Sequence, residues 1–409
     1  MKAELRGWRI SPWLVIFVGL MGLFFIILSR RSTAGLGAIS NLSDEMPWGL
    51  WIGFDLLSGV ALAAGGFTVA ALVYILHLER FRPILRSTIL TAFLGYIMVI
   101  LALLVDLGKP WNIWHPIILW NPHSVMFEVG WCVMLYTGVL FLEFLPLVLE
   151  RFGWRRPMRF LQWLTPVLVL SAVLLSTLHQ SSLGTLYVIV PTKLHPLWYS
   201  PMLPLLFFVS SVALGLAMTN VEGFLSLRAF GESLHQSLMG DLGRATAVVL
   251  AVYLTIRIED LVVRKQMAHA FSLDAASLFF LAEIVLGGVL PMLMLFSRRI
   301  RQRPLLLVAA QFMVVLGMIF NRLNVAVTAF QLGTGAAYSP RWMEIALSLA
   351  IVAIGFFFFA MAVRYLRVFD EGPLVHPVPT DPYVELSGQP GPTLDSGLRE
   401  VTGAEHRSG

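Results

Sequence analysis

The chain has 409 residues, 57% of them hydrophobic and only 13% charged, with a mean hydropathy of +0.79. An average soluble domain carries roughly 25% charged residues, so a soluble globular enzyme is excluded and an integral membrane protein is indicated. The net charge of +5 does not point to nucleic acid, because in such a protein Lys and Arg collect in short cytoplasmic loops.

The first 28 residues combine a positive start with an apolar core of about 19 residues, Ile10 to Leu28, longer than the core of a signal peptide; this reads as a first membrane span. Further apolar runs give expected helices near residues 10–29, 50–77, 88–107, 123–149, 160–181, 202–224, 244–264, 273–297, 304–331 and 343–366. Each can cross a hydrocarbon core of about 30 Å. The expected fold is therefore all-α, a polytopic bundle of ten transmembrane helices over residues 1–369. Residues 370–409, rich in Pro, Gly and acidic side chains, read as a disordered cytoplasmic tail. Before that tail, one side of the membrane holds eighteen Lys and Arg and the other seven, which places both termini in the cytoplasm.

Polar residues inside these runs mark candidate sites, since an ionisable side chain at a helix centre costs roughly 2.5–3.5 kcal/mol. In the second run Trp48 and Trp51, around "PWGLWIGF", read as aromatic-belt anchors ahead of Asp55, and Gly59, Ala63 and Gly66 of "GVALAAGG" as a close-packing face. Asp106 ends the third run, Glu128 begins the fourth, and "HQSS", His179 to Ser182, ends the fifth. Arg257, Glu259 and Asp260 occupy the outer third of the seventh, Arg322 and Asn324 that of the ninth, and Glu344 the outer start of the tenth. These groups converge on one membrane face. Glu283, about 15 Å into the eighth run, and Glu143, near the inner end of the fourth, extend a candidate proton route inward.

The single cysteine, Cys132, excludes an internal disulfide and any all-cysteine iron–sulfur or zinc site within the chain, and no metal ligands are expected. A haem held by two histidines is disfavoured, because the histidines fall at mismatched depths. A quinone site asks for less: a donor to one carbonyl, an apolar slot and carboxylates to move protons. His179, with an ordinary pKa near 6.5, suits the donor role, Gln180, Ser181 and Ser182 add orienting hydrogen bonds, and Asp106, Glu128, Arg257 and Glu259 form a proton-managing set. The same groups also fit mere structural pairing, and "HQSS" a helix-end cap.

The segments "NLSDEMPWGLWIGFDLLSGVALAAGGF", "VDLGKPWN", "NPHSVMFE", "LEFLPLVLERFGW", "TLHQSSLGTL", "KLHPLW" and "AYSPRWMEI", in order across residues 10–366, resemble the NrfD/polysulfide-reductase membrane-subunit family. Within it they are most similar to the Hyb-type membrane subunits of periplasmic uptake [NiFe] hydrogenases. The resemblance implies a haem-free, quinone-reactive subunit of two four-helix bundles plus flanking helices. It also implies menaquinone or ubiquinone as exchangeable cofactor, and as partners a periplasmic ferredoxin-like iron–sulfur subunit and the [NiFe] large and small subunits, in a bacterial inner membrane. Matching positions carry over Asp55, Asp106, Glu128, His179, Gln180, Ser181, His195, Arg257, Glu259, Tyr338 and Glu344, with Asp55, Tyr338 and Glu344 joining the quinone set. "NRLN" at 321–324 departs from the family's more aromatic context. The alternatives are a molybdopterin-reductase anchor and, from another class, a secondary transporter, since two parallel repeats with intramembrane carboxylates also fit one.

Overall fold

The computed structural model describes residues 12–230 and 236–369; the expected tail and the positively charged start lie outside them. Ten long helices run through the described residues: α1 (Pro12–Ala34), α2 (Trp51–Ile75), α3 (Arg82–Asp106), α4 (Val125–Phe152), α5 (Arg155–Val188), α6 (Leu203–Phe230), α7 (Gln236–Val263), α8 (Ala275–Phe296), α9 (Pro304–Thr334) and α10 (Trp342–Tyr365). Nine of them are apolar enough to span a membrane by composition; α7 is diluted by Asp241, Arg244, Arg257, Glu259 and Asp260. Large apolar side chains such as Trp163, Phe160 and Phe356 stand exposed on the outside, as a lipid-facing surface requires.

Local signals set the ends. Ser124 accepts the Phe127 amide at the start of α4, and Asp274 accepts that of Ser277 at 2.7 Å at the start of α8. Gly153, at φ +68°, terminates α4 in the left-handed conformation that glycine adopts without penalty. The fifth helix runs on past residue 181 to Val188. The hydroxyls of Ser181 and Thr185 return to carbonyls one turn back, so these side chains are satisfied within the helix instead of ending it.

Helices α2–α5 close one four-helix ring and α6–α9 another, while α1 and α10 pack together beside α3. The rings share α2, buried on nearly all sides. Its small residues allow this: Gly66 faces Ala92, and Ala63 faces Gly95 of α3, while Gly65 lies against Gly215 of α6. Four wide π-helical turns interrupt the spans, at Trp51–Ser58 and Ala71–Ile75 of α2, Val285–Val289 of α8 and Asn324–Thr328 of α9. Such turns are common where function needs a helix face re-aimed. Those of α2 and α9 meet where Gly53 faces Leu323 and Ala326. Trp51, expected in the aromatic belt, is instead buried, because Ile27, Ile39, Val105, Met343 and Leu347 pack over it, and Trp48 stacks edge-on against Tyr187 and Phe330.

Gly215→Ala would set a methyl carbon 2.5 Å from the Gly65 nitrogen. A cost of about 1–3 kcal/mol is expected, read as a lower Tm in detergent. Gly138→Ala, with nothing within 4 Å, leaves the Tm unchanged.

Candidate functional site

A cavity of about 600 Å³ lies between α2, α3, α6 and α10, reaching Trp13 of α1. Its walls are aliphatic and aromatic apart from Asp55, Thr91, Glu222 and Ser226. Asp55 sits in the first π-turn, roughly 6 Å from the start of α2, and its Oδ2 accepts a 2.5 Å bond from Ser348 of α10. Deeper along the slot, Thr91 donates to Glu222 Oε2 at 2.8 Å, and Glu222 Oε1 is buried without a partner. An elongated apolar slot with one carboxyl near the π-turn of α2 and a second further along suits a small ring on a long hydrocarbon tail.

His179 does not line this slot. It is fully buried inside the first ring, about 13 Å before the end of α5, because the helix continues beyond it. Its Nδ1 is 2.8 Å from the Tyr96 hydroxyl, and Tyr136 stacks edge-on against Tyr96. Nε2 has no partner. Gln180 donates to the Val60 carbonyl at 3.1 Å. Tyr96 and Val60 are the sequence neighbours of Gly95 and Gly59, which line the slot, so the α2–α3 seam separates the histidine from it. Ser181, expected to orient a ligand, bonds only to the carbonyls of Thr177 and Leu178. Ser182 instead reaches Glu128 Oε1, at 2.5 Å.

On the same side of the bundle, Tyr338 and Glu344 act as a lock rather than lining the slot. The Tyr338 hydroxyl donates to Glu344 Oε2 at 2.5 Å and accepts the Leu50 amide at 2.8 Å. Glu344 Oε1 takes the amides of Asn41 and Arg341, so both its oxygens are committed to fixing the loop before α2 onto α10. Burial, and then the Glu344 carboxylate, push the Tyr338 phenol above its ordinary range. Arg31 brackets Asp106 by donating to the carbonyls of Val105 and Leu107. His195, in the loop before α6, donates its amide to Ala329, and its ring stands near His269. Burial first, and then His269, hold it below the usual imidazole range, with Asp274 opposing.

The groups expected on one face thus divide between the two rings. In the second, Glu283 accepts from Trp198 at 2.9 Å, Asn321 at 2.7 Å and Asn324 at 2.9 Å. Arg322 donates to Asn321, Ser210 and the Phe207 carbonyl, and Arg257 to the Leu197 carbonyl. Glu259 departs from expectation: it is exposed, one position off the buried face that carries Arg257 and Asp260. Asp260 holds the buried position, bonded to Ser200 and Arg264. Ser348, Tyr96, Arg31 and Trp198 are partners the sequence reading missed, since nothing local marks them. Glu222 was missed as well, although a carboxyl within an apolar run is a signal that could have found it. Among the described residues His179 is the only buried histidine.

A family model described as "Polysulphide reductase, NrfD" matches residues 38–335. The chain belongs to the NrfD family. A protein of Nitratidesulfovibrio vulgaris is 41% identical over 343 residues, 81% of this chain and 87% of that one. The probable Ni/Fe-hydrogenase 2 b-type cytochrome subunit of Escherichia coli is 33% identical over 370 residues, 89% of this chain and 94% of that subunit. The menaquinone reductase integral membrane subunit of Nitratidesulfovibrio vulgaris is 26% identical over 392 residues, 89% and 93% respectively. The NrfD chain described here is thus an all-α membrane protein with relatives in multi-subunit oxidoreductases.

Glu344→Ala strands the Tyr338 hydroxyl and two amides, and is expected to cost about 1–3 kcal/mol by thermal melting, whereas Glu259→Gln changes nothing. Because the folded pKa of His195 is depressed, its contribution is present above about pH 6.5 and is lost as pH falls toward the lower folded value. His195→Asn should flatten that acid limb of the Tm profile.

Proposed function

We propose that this chain is the haem-free quinone-reactive membrane subunit of a periplasmic [NiFe] hydrogenase. In this reading two electrons from H2 pass through a ferredoxin-like iron–sulfur subunit to menaquinone or ubiquinone, which takes up two protons to become the quinol. The slot of about 600 Å³ carries the reading. Its volume falls in the range of small-molecule sites, roughly 300–1,000 Å³, and its apolar length accommodates an isoprenoid tail. In this reading Asp55, held by Ser348, orients the ring and supplies a proton. His179, with Nε2 free behind the α2–α3 seam, is the protonatable neighbour, coupled through Tyr96. Lys and Arg asymmetry supports cytoplasmic termini, and hence a quinone ring near the periplasmic face of a bacterial inner membrane. The E. coli hydrogenase relative supports the partner, and the menaquinone reductase relative supports the acceptor.

Asp55→Asn and His179→Ala should each lower hydrogen-dependent quinone reduction by about 10²-fold or more while hydrogen oxidation with a soluble dye persists. Loss of both activities would refute the assignment. Glu143 and Glu283 form the proposed inward proton route; unchanged proton uptake by proteoliposomes bearing Glu283→Gln would remove that part. The family's polysulphide-reductase description favours a second reading, the same site serving a molybdopterin reductase. Mass spectrometry of co-purifying subunits separates the two: a nickel–iron large subunit supports the first, a molybdopterin subunit the second.

A further inference from the structure

The second ring buries two arginines without a matching pair of anions. Arg257 and Arg322 are each 1% exposed. Neither forms an ion pair among the described residues. The nearby Asp260 is taken by Arg264 at 2.6 Å. The oxygens of Glu283 are taken by the neutral donors Trp198, Asn321 and Asn324. An arginine does not deprotonate in a protein, so positive charge remains in surplus in a low-dielectric interior, where an unpaired charge is expensive. Part is offset by aromatic faces, Phe207 at 3.7 Å from the Arg322 guanidinium and Phe280 at 5.5 Å from that of Arg257. What remains is visible as hydrogen bonds not made: the Nε atoms of both arginines are buried without an acceptor.

Both arginines line one small cavity, with Tyr253 and Asn321 as its other polar walls and Leu203, Leu206, Phe207 and Val325 closing it. It leaves about 10 Å³ for the centre of a water-sized ligand, enough for a single small species. Glu283 is not among its walls; it opens onto an adjoining cavity that shares Tyr253 and Asn321, and its single carboxylate can offset only one of the two guanidinium charges. Asn321 already donates to Glu283 and accepts from Arg322, leaving the two Nε atoms and the tyrosine hydroxyl as the groups free to bind.

We propose that this cavity between Arg257 and Arg322 is a binding site for one small monovalent anion of the halide class, chloride in practice, which serves as the buried counter-ion of the second ring. The site is independent of the quinone reading and stands or falls separately from it.

The test uses the full-length chain purified throughout in chloride or in gluconate at equal ionic strength, with bromide as the anomalous scatterer. Expected are one bromine peak within hydrogen-bonding reach of both Nε atoms and a Tm several degrees lower in gluconate, restored by bromide. Arg257→Gln should abolish the halide dependence. If that variant fails to fold, the wild-type measurements decide alone. No bromine peak at the site, or a Tm indifferent to replacing halide by gluconate, overturns the proposal and assigns the cavity to water.

Discussion

Gly65 of α2 and Gly215 of α6 meet backbone to backbone, and that crossing governs how the two helical rings lie together. A helix in lipid gains little from burying one apolar side chain against another, so close association depends on small residues that let main chains approach. Helix α2 carries such residues on several faces, toward α3, α6 and α9 at once, and is accordingly buried nearly all round. The slot, the His179 cluster and the junction of the two rings all border it. A bulky residue at any of these crossings would displace more than one neighbour.

The intramembrane polar groups follow a second rule, that each buried charge needs a partner. Four carboxyls obey it by different means: a serine from another helix for Asp55 and Glu128, a threonine for Glu222, three neutral donors for Glu283; Glu143 is buried with Oε1 unpartnered. The π-turns help by re-aiming short stretches, so that Asp55 turns toward α10 while Leu56 and Leu57 beside it stay in the core. The arginines of the second ring depart from it too. Neutral carbonyls and aromatic faces surround them in place of carboxylates, and this is what separates that ring chemically from the first.

The two rings share a plan. In both, a carboxyl on the third helix, Glu128 or Glu283, is held by a polar residue of the fourth, Ser182 or Asn321. They differ at the fourth helix's buried polar centre, a neutral-capable histidine beside tyrosines in one and an arginine in the other. Both rings border the large slot, the second through α6, and small cavities lie inside the second ring.

Ten helices, their approximate limits and the presence of charges within them were legible in the sequence, because hydropathy over some twenty residues is a local property. So was the small-residue face of α2, whose residues are adjacent in the chain. The end of α5 was misplaced because Ser and Thr read as helix breakers until their hydroxyls are seen returning to their own helix. Which way each polar group points was not legible. A shift of one residue turns a helical side chain by about 100°, which is why Glu259 faces outward while Asp260 is buried, and why His179 lies behind the slot rather than in it. Depth along a helix can be counted from sequence; azimuth, and with it every partner, is fixed only when ten helices pack and the crossings between their smallest residues choose a rotation for each.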